Sequence, residues 1–181
     1  PAIQAILTGL PGDFGASIVI SQHMPPGFTR SFAERLNKIS ALVVSEAAAG
    51  DRIKAGMAFV APGGHHLLVR RDREGLFAEL IPRVPADKYV PSADRMMSSV
   101  ADTCGAAALG VVLTGMGNDG AQGALAIKKN RGQCLAESEE SAVIFGMPQE
   151  AIRAGAVDKV LPLMKMAEEI SIRCTGRGGS S

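Results

Sequence analysis

The sequence predicts an α/β fold, doubly wound in a Rossmann-like way around a mostly parallel sheet, with a small antiparallel hairpin insertion. Three patterns carry that expectation. An apolar run at 109–113, a helical stretch at 121–130 and a second strand-like run at 133–136 are spaced as a βαβ unit, for which a right-handed crossover is expected. A β-branched run at 17–21, bounded by turn residues and followed by an amphipathic stretch, has the composition of a buried parallel strand. Between these, residues 41–80 hold shorter strand-like runs separated by Gly and Asp/Arg turns, which suggests antiparallel pairing more than another βαβ unit.

Taken in order, Ile3, Ile6, Leu7 and Leu10 recur at helical spacing, and Pro11-Gly12-Asp13 ends the element. The strand at 17–21 stops just before His23, which places that imidazole at a strand's C-terminal end. Thr29 is a candidate cap for a helix with Phe32 and Leu36 on its apolar side, running to about residue 37. Runs at 42–45, 57–61, 67–70 and 76–80 supply the insertion. Ser92 caps a helix to about residue 103, the βαβ unit follows, Pro148 opens a short helix and Pro162 another reaching about residue 172. Residues 1–174 read as one domain, and the Gly/Ser-rich tail 175–181 as disordered.

Composition narrows the function classes. With 181 residues, 46% of them hydrophobic, the chain is long enough for a sizeable core. A formal net charge of +1 gives no global field for nucleic acid or an anionic membrane, and the pairs Arg70-Arg71 and Lys128-Lys129 read as solvated faces. No apolar run approaches the roughly 20 residues of a membrane span and no signal pattern opens the chain, so a cytoplasmic setting is expected. Three cysteines without CxxC spacing argue against disulfides and thiolate metal sites. Cys104 falls late in a helix instead of on a sharp turn, where a nucleophile would sit. Adjacent His65 and His66 would face opposite sides of a strand, with no partner at ligand spacing. Neither metal nor cofactor is expected.

The segment Gly115-Met116-Gly117-Asn118-Asp119-Gly120, between strand and helix, admits two chemistries. As G-x-G-x-x-G, with Glu137 about twenty residues on, it is a dinucleotide fingerprint. Asp119 opposes that reading, because its charge would approach the pyrophosphate at the first helical turn. Alternatively, Asp119 at a helix N-terminus, supplied by free backbone N–H groups, is a fixed carboxylate able to orient His23 along the same sheet edge. In a triad that carboxylate keeps one ring nitrogen protonated while the other takes a proton from a serine. A third reading leaves His23 packed under a loop and Asp119 as a plain helix cap.

Five blocks bear on the choice: Ser21-Gln22-His23-Met24-Pro25-Pro26-Gly27-Phe28-Thr29; Ala61-Pro62-Gly63-Gly64 with His66-Leu67; Pro91-Ser92-Ala93-Asp94; Leu113-Thr114 running into Gly115–Gly120; and Phe145-Gly146-Met147-Pro148. In this order they resemble the catalytic domain of CheB, the chemotaxis protein-glutamate methylesterase, over about residues 1–170. The resemblance implies His23 as general base, Asp119 as its orienting carboxylate, and the Met116 backbone N–H beside the oxyanion. The family's nucleophile is the serine of a G-A-S-T-G-G-P turn lying directly before the stretch that begins here, and Pro1 resembles that turn's last residue. Gly15-Ala16-Ser17 copies three letters of it, but Ile18-Val19 follow, so Ser17 should start a strand. Ser21, Ser92 and Ser141 are no better placed.

The implied activity is hydrolysis of glutamate methyl esters on chemoreceptor helices through a serine acyl-enzyme, with deamidation of receptor glutamines and control by an upstream receiver domain. A chain lacking the serine segment is expected to be nearly inactive, and lacking its strand, to leave two strands with an unpaired edge. Val90 stands where an arginine usually precedes Pro-Ser, and Glu137 where glutamine is common; both are expected near the substrate edge. The rival functions are a nucleotide-binding oxidoreductase and a non-catalytic receptor-binding module.

Overall fold

The structure, a computed structural model, describes residues 1–175; residues 176–181, most of the expected tail, lie outside the described residues. Eight strands and six α-helices are described. The strands are β1 (Ile18–Ile20), β2 (Val43–Glu46), β3 (Met57–Val60), β4 (His65–Asp72), β5 (Gly75–Pro82), β6 (Leu109–Val112), β7 (Gln133–Glu137) and β8 (Lys159–Leu161). The helices are α1 (Ala2–Thr8), α2 (Phe28–Ile39), α3 (Ala93–Cys104), α4 (Ala121–Lys129), α5 (Gly146–Arg153) and α6 (Leu163–Thr175). Thr175, assigned above to the tail, closes α6.

The strands form two parallel sheets, ordered β1-β3-β2 and β6-β7-β8, and β4 and β5 form a separate antiparallel hairpin. Among the described residues, β1 pairs only with β3, and β6 only with β7. Successive strand residues face opposite layers. Ile20, Ala58, Val60 and Leu135 join Leu7 of α1, Phe32 and Leu36 of α2 and Met166 of α6 in one cluster, which also takes in Ile18, Leu109 and Val111. Val112 and Cys134 pack instead with Met97 and Ala101 of α3, Ala124 and Ile127 of α4 and Ala151 of α5. Helices thus cover both faces, as a doubly wound fold requires.

Two expectations need correction. The runs at 42–45 and 57–61 belong to parallel β2 and β3, so the antiparallel insertion is the β4–β5 hairpin alone. The link between β2 and β3 crosses without a helix: Gly50 N–H donates to Ala78 O, Ala78 N–H to Asp51 O and Ile53 N–H to Leu76 O, so β5 satisfies the backbone of the crossover. Strand β8 has no counterpart in the sequence reading, because three residues with only Leu161 buried show no periodicity to detect.

The contact that matters most for the site is between α3 and α4. A Cβ on Gly123 would lie 2.6 Å from Met97 Cβ and 3.1 Å from Asp94 Cα, so only glycine lets the two helix N-termini come this close. Gly123→Ala is expected to destabilise the domain by about 1–3 kcal/mol through overpacking, despite a helix-propensity gain near 1 kcal/mol. Thermal unfolding checks this: Tm should fall by about 2–4 °C per kcal/mol, and an unchanged Tm would show that the helices can part without cost.

Candidate active site

His23 follows β1 at its C-terminal end, and the loop carrying it is held from below by Gly63. A Cβ there would come within 2.5 Å of Pro26 N and 2.6 Å of Pro25 C, so the backbone of the Ala61–Gly64 block supports the histidine loop directly. Thr29 works differently from the expected cap: Gly27, at φ 89°, is the N-cap of α2. The buried Thr29 hydroxyl instead donates to Glu46 Oε2 at 2.6 Å and accepts from Gly63 N–H at 2.9 Å, tying α2 to β2 and to the glycine turn.

Asp119 reaches His23 from the other sheet, with Oδ2 2.7 Å from Nε2. The carboxylate is fully buried and the imidazole partly exposed. The expectation that Asp119 draws on its own helix is wrong. Ala93 N–H donates to Oδ2 at 2.7 Å, Asp94 N–H to Oδ1 at 2.8 Å and the Ser92 hydroxyl to Oδ1 at 3.1 Å, so it is the N-terminus of α3 that holds the carboxylate. The first turn of α4 is in return occupied by Asp94, whose Oδ1 accepts from Gly120 N–H and Gly123 N–H, both at 2.8 Å. Ser92 also accepts from Arg95 N–H at 3.3 Å, the helix cap expected of it.

The electrostatics follow from these bonds. Burial pushes the Asp119 carboxyl upward, but the His23 hydrogen bond, the Asp94 and Ala93 N–H groups and the imidazole charge outweigh it, and the net shift is downward. Asp94 moves the other way: burial dominates, reinforced by the Asp119 charge, against the N–H groups of α4. Asp119 is therefore the more readily ionised of the two. An ionised carboxylate only accepts, so Nε2 carries the proton and Nδ1 presents a lone pair.

The turn at 114–117 is braced by the loop after β7. Gly115 N–H donates to Ile144 O at 3.0 Å and Met147 N–H to Gly115 O at 2.8 Å. Met116 projects its side chain outward, 72% exposed. Gly117, at φ 92°, passes beneath Tyr89, whose hydroxyl donates to Asn118 Oδ1 at 3.1 Å and accepts from Asn118 N–H at 3.3 Å. Glu137 is buried: Oε1 accepts from Thr114 N–H at 2.9 Å and Oε2 from the Ser141 hydroxyl at 2.8 Å. Val90 is half-buried.

Among the described residues, Asp119 is the hydrogen-bond partner of the His23 ring, and no described serine reaches it. Ser17 precedes β1, at the strand's opposite end from His23. Ser92 is engaged with Asp119, and Ser141 with Glu137. The dinucleotide reading meets a direct obstacle, since the α4 N–H groups a pyrophosphate would need already serve Asp94, with Asp119 alongside. His66 is a structural histidine: fully buried, it donates from Nε2 to Asp87 Oδ2 at 2.9 Å and accepts at Nδ1 from Ser92 N–H at 3.1 Å.

Comparison with known sequences matches residues 1–170 to the CheB methylesterase family. The chain belongs to that family. A relative from Geobacter sulfurreducens, named protein-glutamate methylesterase/protein-glutamine glutaminase 3, is 53% identical over 174 residues, covering 96% of this chain and 47% of its own. A Myxococcus xanthus protein named protein-glutamate methylesterase/protein-glutamine glutaminase 1 is 48% identical over 163 residues, covering 90% of this chain and 47% of its own. The chain thus spans about half the length of the curated relatives it matches. The crystal structure of the Thermotoga maritima CheB methylesterase catalytic domain superposes with a TM-score of 0.91 at 38% identity, covering 94% of this chain and 90% of that one.

In the CheB fold, Asp94, Ser92 and Tyr89 make contacts that the sequence did not indicate. Asp94 and Ser92 lie in a block already singled out, but their bonds to α4 and to Asp119 depend on how two helices meet, which no local pattern encodes. Tyr89 had one usable signal: it is the only tyrosine in the chain, set in a loop.

Acid unfolding tests the exchange. Because Asp119 is depressed in the folded state, its contribution is present above the ordinary carboxylate range near pH 4 and lost as pH falls through the lower folded value. Asp119→Asn should therefore flatten the fall in stability below about pH 4, and an unaltered stability-versus-pH curve in urea would contradict the assignment.

Proposed function

We propose that the complete protein hydrolyses glutamate methyl esters on chemoreceptor cytoplasmic helices, and deamidates specific glutamines there, as the catalytic part of a chemotaxis adaptation enzyme. The observation that carries this reading is the His23–Asp119 pair, at 2.7 Å, formed between the segments that follow β1 and β6, with the carboxylate fully buried. The names of the relatives support the substrate class.

We assign the nucleophile to a serine ahead of Pro1 in the complete gene product, as the family resemblance implies. His23 Nδ1 takes the proton as the serine oxygen attacks the ester carbonyl carbon, and the imidazolium is balanced by Asp119. The Met116 N–H stabilises the oxyanion. Collapse breaks the carbon–methoxy bond, the proton passes from His23 to the leaving oxygen, and methanol departs. Water then attacks the acyl-enzyme, giving its proton to Nδ1, and the restored serine releases glutamate. With a glutamine substrate, ammonia leaves in the first step instead.

Residues 1–174 act as the catalytic domain in this reading, regulated by a receiver domain upstream and working in the cytoplasm. No described helix is long and apolar enough to cross a membrane. The test is methanol release from methylated receptor by the full-length protein. His23→Ala and Asp119→Asn should each lower the rate by about 10²- to 10⁴-fold. Receptor binding with no methanol release, unaffected by His23→Ala, would instead identify a non-catalytic binding module.

A further inference from the structure

We infer that Tyr89 is a positioning residue for the base, stabilising His23 selectively in its protonated form. The tyrosine and imidazole rings stack with centroids 5.1 Å apart and planes 10° from parallel. That separation lies in the range where aromatic faces interact, and within the ~6 Å over which a ring face attracts a cation. Loop 83–92, which carries Tyr89, is fixed at both ends. Arg83 N–H donates to Gly64 O, Asp87 Oδ2 accepts from Val84 N–H and from His66 Nε2, and Ser92 N–H donates to His66 Nδ1. The hydroxyl is held to Asn118, the residue before Asp119. One side chain thus spans the two partners of the pair, lying on the histidine ring and bonded to the turn that presents the carboxylate.

The charge environment makes this more than packing. Charged groups that bear on the stack include Asp119, bonded at Nε2; Asp94, whose charge acts on Asp119; and Lys88, whose Nζ lies 5.1 Å from the Tyr89 centroid. When Nδ1 takes a proton the imidazolium lies against the negative face of the phenol ring, an attraction that the neutral base largely lacks. Such an interaction strengthens on the way to the tetrahedral intermediate, so it accelerates the chemical step without tightening substrate binding.

The inference rests in part on the esterase reading, and the test has one arm that depends on it and one that does not. In the full-length protein, imidazole NMR titration of His23 reads the effect directly. Tyr89→Leu should lower its midpoint by about half a pH unit, while Tyr89→Phe, which keeps the ring and loses only the Asn118 bonds, should leave it near the wild-type value. Phenylalanines of increasing fluorination at position 89 keep the shape while draining the ring face, and should lower the midpoint progressively even if Tyr89→Leu folds poorly. In the kinetic arm, Tyr89→Leu should reduce kcat for methanol release by about 2- to 5-fold with KM little changed. An unmoved His23 midpoint across the fluorinated series, or a Tyr89→Phe shift as large as that of Tyr89→Leu, would overturn the inference. Absence of methanol release from the wild-type protein would count against the esterase reading, while the titration would still decide the role of Tyr89.

Discussion

The site depends on an exchange of carboxylates between two helices. Asp119, just before α4, sits on the N-terminus of α3, and Asp94, in the first turn of α3, sits on the N-terminus of α4. Each helix needs partners for its first N–H groups and favours negative charge there, and each finds both on its neighbour. The exchange keeps a buried carboxylate ionised without a permanent cation beside it. Its direction is also set: Asp119 is shifted downward and Asp94 upward from the ordinary carboxylate value, so the member that faces His23 is the one that ionises more readily.

The same arrangement explains why residues far apart in the chain act together. Gly63 and Thr29 hold the histidine loop against β3 and α2. Ser92 joins the α3 cap to Asp119 and, through its N–H, to His66 on the hairpin. Gly146 approaches Gly115 O so closely that a Cβ would stand 2.8 Å from it, which locks the Phe145–Pro148 block onto the turn bearing Met116. The five sequence blocks thus form a set of interlocking backbone contacts, with His23 and Asp119 at the place where they converge.

Much of this was legible beforehand, for identifiable reasons. The βαβ unit at 109–136 showed itself through periodicity, and Ser92 through its position before a helix. The placement of His23 and Asp119 at strand ends followed from the apolar runs that precede them. Thr29 misled because a hydroxyl near a helix start is a capping signal locally, whereas Glu46 and Gly63, distant in sequence, compete for it. Strands β2 and β3 were assigned to the wrong pairing because a parallel crossover normally contains a helix, and this one is satisfied by β5 instead. Glu137 was legible only as a departure from the family pattern, because its partners at Thr114 and Ser141 are set by the tertiary fold.

The orientation of the His23 ring has one last consequence. Nε2, the nitrogen farther from the main chain, is anchored in the buried carboxylate, and Nδ1, adjacent to the carbon bearing Cβ, is left for proton transfer. The ring is tethered covalently at its near end and by a short ionic hydrogen bond at its far end, which leaves it little freedom to swing. Whatever hydroxyl it serves must approach close to the backbone of the segment after β1, and little alignment entropy is left to be lost at each turnover, because the imidazole is oriented when the chain folds.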